Sequence, residues 1–138
     1  MRVFVDTNVL VYLFDAQEPA KQMRAREVVT ELARNRRLVV SSQVLSELYV
    51  TVTRKLAYPL QASAALRALA DLAVYPVVAV DAALVLRAAT RAPAEQIAYW
   101  DALILEAAVE AGASTVYSED LQHGRTYHGV TVVDPFLA

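Results

Sequence analysis

The chain has no cysteine. Disulfides, zinc–thiolate sites and thiol nucleophiles are therefore excluded. Only 3 of its 138 residues are glycine, and no Gly-rich phosphate loop of the dinucleotide or P-loop kind can be traced. No G-x-S-x-G elbow occurs either. The two histidines, His123 and His128, are too few and too isolated for a histidine metal site. No long apolar run exists. The longest, Leu72 to Val80, is broken by Pro76 and stopped by Asp81, too short to span a membrane. No signal-peptide pattern follows Met1-Arg2. Linkers, repeats and low-complexity segments are missing, and charged residues make up only 20%. The expectation is a soluble, cytoplasmic protein without membrane contact, folded as one domain over 1–138.

Apolar residues make up 57% of the chain, ample for one large core. Short apolar runs near 2–6, 37–41, 75–80, 115–118 and 130–133 read as strands. They are continuous rather than alternating, as expected where both faces of a sheet are covered. Helical candidates lie near 8–15, 20–35, 42–57, 60–73, 82–91 and 100–111. Pro19 suits a first helical turn, Asp81 an N-cap and Gly112 a helix end. Strands alternating with helices predict an α/β fold: a three-layer α/β/α sandwich around a central parallel sheet. In such sheets ligands bind beyond the carboxyl ends of the strands, where the strand order reverses.

Against that frame four carboxylates stand out: Asp6, Glu47, Asp101 and Asp120. Asp6 ends the first strand and Asp120 follows the fourth. Glu47 lies at the margin of an apolar helical arc formed by Val44, Leu45, Leu48, Tyr49, Val52 and Leu56. Asp101 falls on the helix side opposite Glu106 and Glu110, which mark the expected wet face. Each acid has a bland alternative: a cap at Asp6 or Asp101, a boundary acid at Glu47, an Asx-turn at Asp120. An acid beside a core is costly unless something compensates it, and a divalent cation does so. Four such acids at converging places favour the cation. Thr7 and Asn8 would orient Asp6. Ser118, Glu119 and His123 are candidates for supporting or substrate contacts, and Glu119 competes with Asp120 for the fourth place.

The net charge is −2, with 13 basic and 15 acidic residues. Neutralising the four acids leaves 11 against 13, a balance of +2 elsewhere, compatible with a phosphate-bearing substrate. Lys21, Arg24, Arg26, Arg34, Arg36 and Arg37 cluster on one helix and its end. A solvated helix face is the default for them, and phosphate contact the second reading.

The residues Val3-Phe4-Val5-Asp6-Thr7-Asn8-Val9-Leu10, Ser46-Glu47-Leu48, Tyr99-Trp100-Asp101-Ala102-Leu103-Ile104 and Tyr117-Ser118-Glu119-Asp120-Leu121-Gln122-His123-Gly124 form an ordered set. Through them the chain resembles PIN-domain ribonucleases, and most closely the VapC-type toxins of toxin–antitoxin pairs. The resemblance implies a metal-dependent endoribonuclease using Mg²⁺ or Mn²⁺, with Asp6, Glu47, Asp101 and Asp120 as the acidic quartet. It further implies an RNA substrate, a cognate antitoxin protein and a homodimer. Hydrolysis of the phosphodiester would leave 5′-phosphate and 3′-hydroxyl ends. Many relatives carry a second Asp two residues after the fourth acid, where this chain has Gln122, so one or two bound metals both stay open. A non-toxin PIN nuclease in RNA processing shares all these residues. A non-catalytic metal-binding interaction module would bind metal without cleavage. A phosphoacceptor receiver domain is disfavoured, because it needs a late lysine and none follows Lys55.

Overall fold

The computed structural model describes residues 1–137. Six strands are formed: β1 (Val3–Val5), β2 (Leu38–Ser41), β3 (Val77–Val78), β4 (Thr115–Tyr117), β5 (Thr126–Tyr127) and β6 (Val130–Val133). The helices are α1 (Thr7–Val11), α2 (Pro19–Arg34), α3 (Ser42–Arg54), α4 (Ala62–Leu72), α5 (Ala82–Glu95) and α6 (Tyr99–Glu110), with a 3₁₀ turn at Tyr12–Phe14 after α1.

The sheet order is β3-β2-β1-β4-β6-β5. The first five pair in parallel, in register Val3↔Leu38 between β1 and β2 and Val5↔Tyr117 between β1 and β4. From β1 the chain steps through β2 to β3, then crosses back to β4 on the other side of β1. Right-handed crossovers place α1–α4 on one face and α5–α6 on the other. The contacts agree, with α2 against β2, and α6 against β2, β4 and β6 with α5 packed on α6. This is the expected α/β/α sandwich, and its strand order reverses between β1 and β4, where their carboxyl ends lie side by side.

Local chemistry explains most boundaries. Pro19 opens α2. Asp81 Oδ1 accepts from the Leu84 N–H at 2.9 Å and caps α5. Gly112, at φ 68°, closes α6: its N–H bonds the Val109 carbonyl and the Ala113 N–H reaches the Ala108 carbonyl. The same paired bonds end α2 at Arg36 and α5 at Gln96, two non-glycine residues held at positive φ.

Four readings need correction. The first helix breaks at Val11 into a 3₁₀ turn. Helix α5 runs past Pro93 to Glu95. Strand β5 pairs antiparallel with β6 through the tight turn His128-Gly129, both at positive φ, so the sheet is mixed at one edge. Glu106 is not on a wet face but is 1% exposed. Helix α6 lies between the sheet and α5, so its outer side is covered. There Glu106 accepts from Arg91 and from the Tyr127 hydroxyl, each at 2.8 Å.

Candidate active site

The carboxyl ends of β1 and β4 are joined by a short polar network. Asp6, 8% exposed, follows β1 and caps α1, accepting the Thr7 N–H at Oδ1 over 2.7 Å. The fully buried Ser118 hydroxyl donates to Asp6 Oδ2 at 2.8 Å. The Ser118 hydroxyl oxygen in turn accepts the N–H groups of Asp120 and Leu121, each at 3.2 Å. Ser118, not Asp120, therefore closes the turn after β4, and the Asp120 carboxylate is free to point outward. Asn8 ties the two ends again, with Oδ1 accepting the Glu119 N–H at 3.1 Å and Nδ2 lying 3.5 Å from Asp6 Oδ2.

The other acids arrive from the helices. Glu47, on the exposed side of α3, accepts from the Thr7 hydroxyl at 2.9 Å. Asp101 sits in the first turn of α6, whose N-cap is Ala98, so it is not a cap. Its charge is favoured by that helix end. Burial pushes the Asp6 carboxyl up to about 6. Hydrogen bonds from Ser118 and Thr7 oppose the shift, and the charges of Asp120 and Glu47 add to it. Asp101 is also raised, first by burial and then by Asp120. Asp6 thus feels Glu47 and Asp120, and Asp101 feels Asp120: the four acids share one electrostatic neighbourhood.

Glu119 is drawn elsewhere. Its carboxylate accepts from Lys21 at 2.5 Å and from the Tyr12 hydroxyl at 2.6 Å. Burial works to raise it, but the hydrogen bonds from Lys21 and Tyr12 outweigh that and hold it below the usual range. His123 spends Nδ1 on the Asp134 N–H at 3.0 Å, a link between two loops. Arg24 reaches the Pro135 carbonyl and Glu27 rather than the acids. Nothing in the sequence marks Lys21 or Tyr12 as a site residue. Lys21 reads there as one more cation on a solvated helix, and nothing in its spacing points to Glu119.

Two depressions meet at Glu47. One, of about 520 Å³, is lined by Gln43, Val80, Trp100 and Leu103. The other, of about 380 Å³, is lined by Thr7, Tyr12, Glu119 and Asp120. Together they form a groove lined by Glu47 and Asp120, while Asp6 and Asp101 line neither depression.

The donors suit a hard divalent cation, being carboxylate oxygens without thiolate or imidazole. Among the described residues no Lys, Arg or His forms an ion pair with Asp6, Glu47, Asp101 or Asp120. Among the same residues no three acids are drawn closely enough to clasp one ion. The donor set thus fits such a cation in kind, though not as a closed cage.

A family model described as PIN domain matches residues 3–129. No curated protein matches the chain. Three solved structures share the fold. VapC20 of Mycobacterium tuberculosis, described as a sarcin-ricin loop cleaving toxin, is 23% identical with TM-score 0.63, over 86% of this chain and 89% of its own. A toxin–antitoxin complex from Klebsiella pneumoniae is 18% identical with TM-score 0.71, over 99% and 98%. VapBC2 of Rickettsia felis, bound to a DNA fragment from its promoter, is 18% identical with TM-score 0.67, over 96% and 97%.

Proposed function

This chain belongs to the PIN domain family, and on that premise we propose that it is a metal-dependent endoribonuclease acting as the toxin of a toxin–antitoxin pair. The observation that carries the reading is the convergence of four carboxylates, from four separate elements, with no basic ion-pair partner among the described residues. Burying an uncompensated acid is costly, and Asp6, 8% exposed with the charges of Asp120 and Glu47 nearby, carries that cost unless a cation is bound. Asp6, Asp101 and Asp120 would hold Mg²⁺ or Mn²⁺, and Glu47 would bind directly or through water. When bound, such a cation offsets phosphate charge and lowers the pKa of coordinated water.

The chain's own residues do the rest. Ser118 and the Thr7 N–H hold Asp6 and favour its ionised form. The Thr7 hydroxyl fixes Glu47 at the meeting point of the two depressions. An RNA strand would run through the groove, with its scissile phosphate over the acids and unpaired bases along Trp100 and Tyr12. The solved structures that share this fold include VapC20 and two toxin–antitoxin assemblies, which supports an antitoxin partner. A homodimer and a cytoplasmic location belong to the same proposal.

The test is cleavage of a labelled structured RNA pool by the purified chain with Mn²⁺, with chelator, and with Asp6→Asn and Asp101→Asn. Metal-dependent cutting that leaves 5′-phosphate ends and is lost in both folded variants is expected. Products ending in 2′,3′-cyclic phosphate would refute the hydrolytic route. Metal binding without cutting would assign the chain to a non-catalytic interaction module.

A further inference from the structure

Lys21 reaches from α2 to Tyr12 and Glu119, two residues that line the depression beside Asp120. Its Nζ lies 2.5 Å from Glu119 Oε2 and 3.2 Å from the Tyr12 hydroxyl oxygen. It also stands 5.0 Å from the centroid of the Tyr12 ring and 5.7 Å from that of Phe136. Tyr12 donates to the other Glu119 oxygen at 2.6 Å. Both oxygens of Glu119 are therefore engaged, by a cation and by a phenol, and the Tyr12 and Phe136 rings flank that cation.

Glu119 is the residue between Ser118 and Asp120. Its backbone N–H is held by Asn8, and the Asp120 N–H by Ser118. The turn after β4 is thus pinned by its backbone on one side and by the Glu119 side chain on the other. We propose that Lys21 is a positioning residue: through Glu119 it locks this turn so that Asp120, and not Glu119, faces Asp6 and Asp101. The proposal rests on the reading of those acids as a cation site. It assigns Glu119 a role as a clamp that keeps its own charge out of that site.

A purely electrostatic role for Lys21 has the opposite sign. A lysine near a cation site repels the incoming ion, and removing it adds net negative charge, so binding would tighten. If Lys21 acts by position, removing it frees the turn and binding weakens in spite of that added charge. Outer partners of metal ligands are typically worth about 10- to 100-fold in affinity.

The experiment uses the whole chain and its Lys21→Met, Lys21→Arg, Glu119→Gln and Lys21→Met/Glu119→Gln variants. Mn²⁺ affinity is read from the electron paramagnetic resonance of free Mn²⁺. Amide hydrogen exchange at Glu119, Asp120 and Leu121 is read separately in chelator. Expected are Mn²⁺ binding weakened by about tenfold or more in Lys21→Met, faster exchange at those amides, and recovery of most of both in Lys21→Arg. The double variant should lose no more than the worse single one. Mn²⁺ binding equal to or tighter than wild type in Lys21→Met overturns the proposal. So does weakened RNA binding with Mn²⁺ affinity unchanged, which would make Lys21 a phosphate contact. If the wild-type chain binds no Mn²⁺, the nuclease reading fails by itself. The exchange data then still test the clamp, and unchanged rates overturn it.

Discussion

Ser118 and Asp6 stand 112 residues apart in sequence and share a 2.8 Å hydrogen bond at the seam between β4 and β1. One buried hydroxyl donates to the acid of one strand end and accepts two N–H groups from the turn of the other. Ser118→Ala should therefore do two things. It should lower stability by about 1–3 kcal/mol, the cost of leaving partly buried N–H groups unpaired. It should also raise the Asp6 carboxyl further above its present position near 6. Metal binding needs the ionised acid. The midpoint of Mn²⁺ binding against pH should move upward in the variant, and an unmoved midpoint would separate Ser118 from Asp6.

Asp6 itself weakens the metal-free fold. Its carboxyl is raised to about 6 from an ordinary value of 3.8, chiefly by burial. Between those values the native chain binds more protons than the unfolded one, so stability falls as pH rises. The penalty is absent below about pH 4 and complete above about pH 6. In chelator at pH 7, Asp6→Asn should be the more stable protein by about 1–3 kcal/mol, and the two should converge at pH 4. Saturating Mn²⁺ should reverse the order at pH 7, because only wild type gains from binding. Thermal denaturation at the two pH values checks both signs.

Glu106 predicts a stability effect away from the groove. It is 1% exposed and contacts Arg91 and Tyr127 at 2.8 Å, with Arg87 at 3.5 Å. Glu106→Ala leaves the Tyr127 hydroxyl buried and unpaired and opens a void, at a cost of about 2–4 kcal/mol. Glu106→Met with Tyr127→Phe should restore most of that, because a buried ionic network exchanged for apolar packing is often neutral. Urea denaturation of the two variants is the measurement. A double variant no better than Glu106→Ala would show the charge itself to be required.

Trp100 is the chain's one tryptophan, and 65% of it is exposed beside Asp101. Its fluorescence therefore reports one place in the groove. Adding a single-stranded RNA oligonucleotide to the Asp6→Asn variant should quench it as bases stack. Quenching by a second protein chain but not by RNA would show that this end of the groove takes a protein.

Much of this architecture is legible locally. The apolar runs ending at Asp6 and preceding Asp120 gave both strands to within a residue or two, since a continuous β-branched run bounded by polar residues has few other uses. Pro19, Asp81 and Gly112 marked helix ends by their own backbone chemistry. Strand β5 carried a readable signal too, because Tyr127-His128-Gly129-Val130 has the left-handed pair a tight hairpin needs. Glu106 misled for a clear reason. Helical period tells which residues share a face, not whether a second helix covers it, and α5 does.

The identity of the acids and their places at strand ends and helix faces were determined by the sequence alone, through short-range sterics and hydrophobic period. That β1 lies beside β4 was decided only by the tertiary structure, and with it the meeting of Asp6, Asp101, Asp120 and Glu47. So was the pairing of Glu119 with Lys21, 98 residues away, on which the proposed choice of Asp120 over Glu119 rests. Such pairings depend on strand order and on what packs across the sheet. No local preference encodes them, because the residues involved become neighbours only when the chain has folded.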